Sequence, residues 1–471
     1  MGNGGRLMDR REFLKSLTGA AASFCLGASV SCDRGKPAQS ASTMPNIVLF
    51  IADDLGWKDL SYYGNSNITT PNIDRIAAEG MLFTNAFVTA SSCSPSRASI
   101  LTGQYPHSNG VTGLTHVRKR LMLSPFHRTF PELLAKSGME TAFEGKWHVA
   151  PYFPTGWYGY RQRLSGVLPK DFLIRSSERA VEFIRANRNN PFYLELNYMD
   201  THRDDAGEFH FVPQFPVDAD TISVPDYYTL PDWPEVRLDL AKYYSNLLLM
   251  DSMIGTVLDA LDRNRISEKT LVCFVSDNGP PFPGNKMTLY DRGMAVPLIF
   301  RWPGKIEAGT RSNALASTID IMPTLLEASG IPAPESAQGK PLLRLLQAEN
   351  ESAFREAVFA EMTYHVNYLP MRAARTRKWK YIRNYSDDPV GLDQCSHMAW
   401  ARKICELPNQ GWLRPRAPEE LYDLENDPHE QTNLVADPAR LQDLAAMRHL
   451  LDEHMRSTRD PFLGKSFDQR Q

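Results

Sequence analysis

The chain lacks most of the features that would set it apart from ordinary globular proteins. Cysteine accounts for 6 of its 471 residues, so disulfides cannot be the main source of stability. The formal net charge is −3, which gives no general attraction to nucleic acid or to a membrane surface. No apolar run reaches the roughly 20 residues that a membrane-spanning helix needs. We therefore expect a large hydrophobic core, no transmembrane segment and no nucleic-acid partner.

The N-terminus carries an export pattern. Arg10 and Arg11 precede Glu-Phe-Leu-Lys and a weakly apolar run at residues 16–30. This order is typical of a bacterial twin-arginine signal. We predict a signal at residues 1–32, a polar tether at 33–44 and a periplasmic location.

The cysteines allow three further expectations. Cys32 is a candidate for a lipid anchor, although Ser29 stands where a lipobox has leucine. Cys273 lies in an apolar run, where a small buried thiol is the ordinary case. Cys395 and Cys405 are close enough in sequence to pair in an oxidising periplasm, and the sequence leaves that pairing open.

Apolar and β-branched runs alternate with amphipathic stretches, which predicts α/β layering around a largely parallel sheet. The predicted strands are Asn46–Ala52, 140–143, Phe192–Tyr198, Thr270–Ser276 and 296–301. The predicted helices are 70–77, 176–187 and 238–264.

A stretch rich in proline, glycine and glutamine at residues 332–356 predicts a domain boundary. We expect a catalytic domain at 45–355 and a smaller α+β domain at 356–471. The elements predicted for this smaller domain are antiparallel strands at 371–376, Trp379–Asn384 and 420–424 and a helix at 438–455.

Carboxylates follow two of the predicted strands. Asp53 and Asp54 come directly after one, and Asp277 and Asn278 after another. The carboxyl ends of parallel strands share one edge of a sheet, where ligands bind. Grouped carboxylates repel one another unless a hard cation lies between them, and oxygen ligands favour Ca²⁺ or Mg²⁺ over Zn²⁺. The sequence therefore predicts a metal site at this edge, with Ca²⁺ expected ahead of Mg²⁺.

A second group of side chains is basic. A tetrahedral oxyanion needs hydrogen-bond donors on several sides, and a metal can occupy one of them. The candidate donors are Arg97, Lys146, His148, His202 and Lys286.

Residues 93–97 read Cys-Ser-Pro-Ser-Arg and are followed by Ala-Ser-Ile-Leu-Thr-Gly. This stretch and four others along the chain together resemble the motifs of the type I sulfatases. The other four are Asn-Ile-Val-Leu-Phe-Ile-Ala-Asp-Asp, Gly-Lys-Trp-His, Ser-Asp-Asn-Gly and Glu-Leu-Tyr-Asp-Leu-Glu-Asn-Asp-Pro-His-Glu. The resemblance runs from about Pro45 to the C-terminus. It implies an α/β, alkaline-phosphatase-like sandwich with a mostly parallel central sheet, followed by a C-terminal α+β domain with an antiparallel sheet.

Within that family the chain is most similar to the sulfamidases. The motifs that carry this similarity are Asp-Thr-His-Arg at 200–203, Asp-Asn-Gly-Pro-Pro-Phe-Pro at 277–283, Pro-Met-Arg at 370–372 and Thr-Arg-Asp-Pro at 458–461. The implied function is hydrolysis of a sulfate group from a sulfated sugar, N-sulfoglucosamine of heparan sulfate or heparin fragments.

The resemblance also implies the chemistry. A maturation enzyme would oxidise Cys93 to formylglycine, whose hydrate attacks sulfur and forms a sulfo-enzyme intermediate. His202 would donate a proton to the leaving group. His148 would take a proton from the second hydroxyl of position 93, which a serine ester would not have.

The remaining roles come from the same resemblance. The calcium ligands would be Asp53, Asp54, Cys93 in its modified form, Asp277 and Asn278. Arg97 would stabilise the nucleophile, Lys286 would lie near the leaving atom and Lys146 would orient His148. Candidate substrate-binding residues are Asp200, Arg203 and His365.

Other functions remain open. The chain could be an O-sulfatase for another glycan, a formylglycine-dependent phosphonate or phosphate ester hydrolase, or an inactive glycan-binding relative. A two-metal phosphatase would need additional His and Asp ligands that the motifs do not supply. A homodimer is also left open by the sequence.

Overall fold

The computed structural model describes residues 44–117, 121–151, 153, 156–165, 172–348, 354–407 and 413–467. The predicted export signal, with Cys32, lies outside the described residues, as does the predicted tether apart from residue 44. Among the described helices, none is both long enough and apolar enough to cross a bilayer.

An eight-stranded sheet forms the centre of the molecule. Its strands are β1 (Asn46–Ala52), β2 (Met81–Phe87), β3 (Glu140–Gly145), β4 (Gln162–Arg163), β5 (Phe192–Tyr198), β6 (Thr270–Ser276), β7 (Leu298–Arg301) and β8 (Thr310–Ser317). The strand order is β4-β3-β5-β1-β6-β7-β2-β8. β7 runs antiparallel to both neighbours, and the other pairs are parallel. β1, β5 and β6 are buried along their whole length, as expected for a sheet covered on both faces.

Helices cover this sheet. They are α1 (Pro71–Ala78), α2 (Cys93–Thr102), α3 (Pro106–Asn109), α4 (Phe130–Lys136), α5 (Phe172–Asn187), α6 (Pro234–Arg263), α7 (Asp291–Met294), α8 (Ile321–Ala328) and α9 (Leu343–Leu346). Proline begins both α1 and α6, because the first turn of a helix does not use that backbone N–H group.

The C-terminal part contains a separate four-stranded sheet. It is made of β9 (Val358–Tyr364), β10 (Tyr368–Arg375), β11 (Trp379–Asn384) and β12 (Glu419–Asp423), in the order β12-β11-β10-β9. All of its pairs are antiparallel. Two further helices, α10 (Ala399–Ile404) and α11 (Leu441–Thr458), follow in this part of the chain.

The predicted fold class is confirmed, with a mixed, mostly parallel large sheet and an antiparallel C-terminal one. Four strands, β1, β5, β6 and β11, have the predicted bounds, whereas the strand predicted at 296–301 begins at Leu298 and is antiparallel. One hydrophobic core continues from the large sheet into β9 and β10. The domain boundary at residue 355 therefore stays a prediction. Cys395 and Cys405 form no disulfide with each other; Cys395 is buried and Cys405 is exposed.

Candidate active site

The carboxylates after β1 and β6 lie side by side, because these strands are parallel neighbours with Ala52 opposite Ser276. The backbone N–H of Asp54 donates to Oδ1 of Asp277 at 3.1 Å. Nδ2 of Asn278 donates to Oδ1 of Asp54 at 2.7 Å. Asp53, Asp54, Asp277 and Asn278 are all fully buried.

Cys93 is the first residue of α2, and its Sγ lies 3.6 Å from Oδ1 of Asp54. Burial raises the pKa of this thiol well above its ordinary value. Arg97 lies one turn further along the helix, where its Nε donates to Oδ2 of Asp277 at 2.7 Å. Its Nη1 donates to Oδ1 of Asn197 on β5 at 2.5 Å. The Cys-Ser-Pro-Ser-Arg motif therefore places the thiol and the guanidinium on the same carboxylate cluster.

Two lysines neutralise part of the negative charge. Nζ of Lys146 lies 2.5 Å from Oδ2 of Asp53, and Nζ of Lys286 lies 2.7 Å from Oδ2 of Asp54. Burial would raise the pKa of Asp53, but Lys146 and the other nearby cations outweigh it and hold that pKa well below its usual range. We call the set of Asp53, Asp54, Asp277, Asn278, Arg97, Lys146 and Lys286 the charged centre.

Two histidines border the charged centre. Nε2 of His202 lies 3.8 Å from Oδ2 of Asp54. His148 follows β3 with a φ of 58°, in the left-handed region that is uncommon for a side chain of this size. Burial, reinforced by the ammonium of Lys146, lowers the pKa of both imidazoles. Both rings are therefore neutral near pH 7.

The charged centre has the donor chemistry of a hard-cation site. Oδ1 of Asp53 and Oδ1 of Asn278 are buried oxygens without a hydrogen-bond partner among the described residues. Oδ1 of Asp53 has a long ion-pair contact of 3.5 Å with Nη2 of Arg97. Buried polar atoms are nearly always hydrogen-bonded, so these two oxygens call for a ligand. Cys93 and His202 also lie within reach of an ion held by Asp53 and Asp54. Most of the donors are carboxylate and amide oxygens, which suit Ca²⁺.

Comparison with known proteins decides the family. The sulfatase family model matches residues 45–331, which include the whole charged centre. A second model, described as the C-terminal part of N-sulphoglucosamine sulphohydrolase, matches residues 284–392.

The chain belongs to the sulfatase family. It is 33% identical to human N-sulphoglucosamine sulphohydrolase over 89% of this chain and 91% of that protein. It is 28% identical to an ulvan-active sulfatase of Formosa agariphila, over 88% of this chain and 75% of that protein. A solved structure of a protein in complex with its substrate D-glucosamine-2-N,6-O-disulfate has a TM-score of 0.68 at 22% identity, covering 89% and 99% of the two chains. The protein is therefore an enzyme that hydrolyses sulfate groups of sulfated sugars.

The three predicted substrate-binding residues of this sulfatase have different surroundings. Neither carboxylate oxygen of Asp200 has a hydrogen-bond partner among the described residues, although the side chain is 2% exposed, and burial raises its pKa to about 7. Nδ1 of His365, in the turn after β9, lies 2.9 Å from Oγ of Ser92, next to Cys93. Both residues stay candidates for substrate contact.

Arg203 is placed differently from the expectation. Its side chain is fully buried, with Nη2 2.5 Å from Oδ2 of Asp239 and Nε donating to the carbonyl of Pro281 at 2.8 Å. The guanidinium is therefore occupied by the protein itself. Arg203 holds the loop after β5 in place, and the structure argues against its direct contact with a sugar.

The sulfatase also contains a second cluster of candidate ligands, which the sequence motifs did not indicate. His107, Glu361 and Asp460 lie close enough together to hold an ion. Arg372 already pairs with Asp460, at 2.5 Å and 3.1 Å, and closes the cluster. We call these four residues the C-terminal clamp, because they join α3 to β9, β10 and the end of the chain.

Sequence reasoning missed three contacts of the active site: Ser92 beside His365, Asn197 beside Arg97 and His116 beside His148. Ser92 directly precedes the motif cysteine, and Asn197 belongs to a predicted strand that leads to the site. His116 lies in a loop, and nothing in its local pattern indicates its neighbour.

Proposed function

We propose that this sulfatase hydrolyses the N-linked sulfate of N-sulfoglucosamine in heparan sulfate or heparin fragments. The observation that carries the proposal is the similarity to human N-sulphoglucosamine sulphohydrolase along nearly the whole of both chains. The matching C-terminal family model also includes Lys286 and His365, which lie at the charged centre and beside Ser92. The solved structure whose substrate is a glucosamine disulfate is consistent with this substrate class.

We propose that a maturation enzyme converts Cys93 to formylglycine. The hydrated aldehyde supplies a nucleophilic oxygen and a second hydroxyl, so that sulfate can leave by elimination. The environment of position 93 supports this: the position is 1% exposed, at the start of a helix and beside the guanidinium-bound carboxylates. Export through the twin-arginine route, which carries folded proteins, would allow this modification in the cytoplasm.

Ca²⁺ is the cation that fits the charged centre. Asp53, Asp54, Asp277, Asn278 and the modified side chain at position 93 would hold it. When bound, it supplies positive charge that stabilises an oxyanion at position 93.

The protein's own side chains divide the remaining work. The guanidinium of Arg97 stays charged and holds Asp277 in place through its Nε hydrogen bond. His202 is proposed to protonate the leaving nitrogen, because a sulfamate must gain a proton to leave as a neutral amine. Burial lowers the pKa of His202, so the ring has to take up this proton when the substrate binds, and once protonated it is a strong donor. Nζ of Lys286 contacts the carboxylate of Asp54, which His202 also approaches, and it can donate a hydrogen bond to a sulfate oxygen.

His148 removes the proton of the second hydroxyl at position 93. Lys146 holds Asp53 and keeps the neighbouring imidazole of His148 neutral, which is the form that can accept a proton. Asp200 and His365 are proposed to bind sugar hydroxyl groups. Periplasmic location, lipid attachment at Cys32 and a homodimer are part of the same proposal.

Sulfate release from N-sulfoglucosamine, compared with release from 6-O-sulfoglucosamine, is the experiment that tests the proposed substrate. We expect kcat/KM to be higher for the N-sulfated sugar. A preference for the O-sulfated sugar would favour an O-sulfatase. That alternative is kept because the chain is also 32% identical to canine N-acetylgalactosamine-6-sulfatase, over 77% of each protein.

Mass spectrometry of the peptide that contains position 93 tests the nucleophile. We expect loss of sulfur and gain of an aldehyde in protein produced with the maturation enzyme. An unmodified thiol in fully active protein would contradict the proposed mechanism, whatever the substrate.

A further inference from the structure

His116 forms a hydrogen-bonded, stacked pair with His148. Nδ1 of His116 lies 2.7 Å from Nε2 of His148. The two ring centroids are 4.9 Å apart, with 24° between the ring planes. His148 is half-buried, with its Nδ1 out of contact with solvent, whereas His116 is exposed. The pair therefore connects the interior of the active site to water.

The backbone fixes the geometry of this pair. Oγ1 of Thr115 donates to the carbonyl of His148 at 3.1 Å, and the N–H of Thr115 donates to Oγ of Ser94 at 3.2 Å. The loop that carries His116 is thus attached both to the residue it contacts and to the helix that begins at Cys93. The hydrogen bond from Thr115 to the carbonyl of His148 also holds the left-handed backbone conformation of that residue.

We propose that His116 acts through His148 as a positioning and proton-transfer residue, which carries the proton taken up inside the active site to solvent at its mouth. This inference rests on the proposed function. It adds a residue that neither the sequence motifs nor the proposed mechanism includes.

The hydrogen bond selects the useful tautomer of His148. Nδ1 of His148 is buried and has no hydrogen-bond partner among the described residues. If Nε2 of His148 donates to Nδ1 of His116, then Nδ1 of His148 carries a lone pair and can accept a proton. The opposite arrangement would leave a buried N–H group without an acceptor, which is unfavourable.

The proton transfer balances without any other reactant. Nδ1 of His148 takes the proton of the second hydroxyl at position 93 as sulfate leaves with its bonding electrons. The proton on Nε2 of His148 passes to Nδ1 of His116, and the proton on Nε2 of His116 passes to water. No group is oxidised or reduced, and both rings are left neutral with the proton on Nδ1. The starting tautomers return when water adds to the aldehyde: Nδ1 of His148 gives its proton to the carbonyl oxygen, Nδ1 of His116 returns a proton to Nε2 of His148, and Nε2 of His116 takes one from water. The attacking water loses one proton to solvent.

The surroundings favour release of the proton outward. Burial and nearby cations lower the pKa of both rings, so neither imidazole retains the proton at neutral pH. The charged and titratable groups that act on the pair are Lys146, Asp53, Arg97, His365, Lys286 and Asp205.

Two variants separate positioning from proton transfer. His116→Ala removes both, and we expect kcat to fall about tenfold or more, with added imidazole restoring part of it. His116→Asn keeps an oxygen acceptor close to the position of Nδ1 but cannot relay a proton. We expect its kcat to stay low, its KM to change little and a solvent deuterium isotope effect to appear. His449→Ala, at an exposed position of α11, is the matched control and should retain the wild-type kcat.

A readout without turnover completes the test. In the Cys93→Ala background, ¹⁵N NMR should show His148 protonated on Nε2 both with His116 present and in the His116→Asn protein, where the side-chain amide oxygen is the acceptor. The His116→Ala protein should show a mixture of tautomers.

Wild-type kcat in His116→Ala or in His116→Asn would overturn the proposal, as would a failure of imidazole to restore activity. If the wild-type protein released no sulfate from any sulfated sugar, the proposed function would fail, and the NMR result would still decide the tautomer.

Discussion

The charged centre and the C-terminal clamp are both buried clusters of carboxylates and cations, yet they differ in what they leave unsatisfied. In the clamp, the guanidinium of Arg372 binds both oxygens of Asp460 and also donates to the carbonyl of Met362 at 3.0 Å. In the charged centre, Oδ1 of Asp53 and Oδ1 of Asn278 have no hydrogen-bond partner among the described residues. The clamp leaves Nε2 of His107 and Oε1 of Glu361 without a hydrogen-bond partner among the described residues. The two unpaired oxygens of the charged centre therefore belong to a carboxylate and an amide, whereas the clamp leaves one imidazole nitrogen and one carboxylate oxygen.

The oxygens left unpaired in the charged centre suit a hard cation better than the unpaired atoms of the clamp. A buried ion pair with a full set of hydrogen bonds holds segments together, because removing either partner leaves an unpaired buried charge. A cluster with orphaned oxygens is less well satisfied by itself and is stabilised by whatever binds it. The clamp also serves the active site indirectly, since Glu361 and Arg372 lie on the two strands whose turn carries His365 to Ser92.

The largest expected effect belongs to the charged centre. Cys93→Ala should reduce turnover at least about 1,000-fold, because the variant lacks the side chain from which the proposed nucleophile is made. The melting temperature should change little, and sulfate release together with thermal unfolding measures both. Cys273→Ala is the matched control: it removes an equally buried thiol from β6, should cost about 1–2 kcal/mol of stability and should leave turnover intact. Retained turnover in Cys93→Ala would refute the assigned nucleophile.

The charged centre was predictable from the sequence to an extent that the clamp was not. Asp53, Asp54, Asp277 and Asn278 each follow a continuous apolar run, so strand prediction and the shared edge of a parallel sheet bring them together. The strand β2 escaped prediction because Thr84 and Asn85 interrupt its apolar pattern. The helix α2 escaped it because Ser-Pro-Ser at its start indicates a turn.

The clamp depends on contacts that no local pattern encodes. His107 and Glu361 are 254 positions apart, and Arg372 and Asp460 are 88 apart. The motifs around Arg372 and Asp460 were recognised by resemblance, but their pairing became visible only in the fold. The same holds for His116 and for the occupied guanidinium of Arg203.

The next largest effect tests the clamp. Arg372→Gln should lower the free energy of unfolding by roughly 3–5 kcal/mol, because it leaves Asp460 buried without its partner. Urea unfolding measures this change. Arg383→Gln, on the neighbouring strand β11, is the control, since its partner Asp452 is 38% exposed and the ion pair should contribute only about 0–1 kcal/mol. Equal costs for the two variants would show that the clamp has no special structural role.

Calcium binding distinguishes the two clusters directly. Added Ca²⁺ should raise the melting temperature of EDTA-treated protein, with about 2.7 kcal/mol of stabilisation when the ion is at 100 times its Kd. Asp277→Asn should abolish this rise in melting temperature, because the substitution removes a charged ligand from the charged centre. Glu361→Gln should keep it, although the starting stability is lower. Loss of the increment in Glu361→Gln alone would place the ion at the clamp.

The smallest effect is the pH dependence that His107 of the clamp contributes to stability. Burial would lower the pKa of His107, but the carboxylate of Glu361 outweighs it, and the pKa in the folded protein lies above the ordinary value of 6.5. Protonated His107 therefore contributes stability that is fully present below about pH 6.5 and is lost as the pH rises through the folded-state pKa. His107→Gln should remove this loss, so the stability difference between wild type and variant should shrink as the pH rises.

The control residue is His127, whose contribution to stability changes with pH in the opposite direction. Nδ1 of His127 donates a hydrogen bond to Oε1 of Gln104, at 3.0 Å, and burial lowers the pKa of the imidazole. The unfolded chain then binds more protons near pH 6 than the folded one, so stability rises with pH through this residue. The difference between wild type and His127→Gln should accordingly grow with pH where the His107→Gln difference shrinks. Urea unfolding between about pH 5 and pH 8 measures both stability differences. If the two differences changed in the same direction with pH, the loss of stability at high pH could not be assigned to His107.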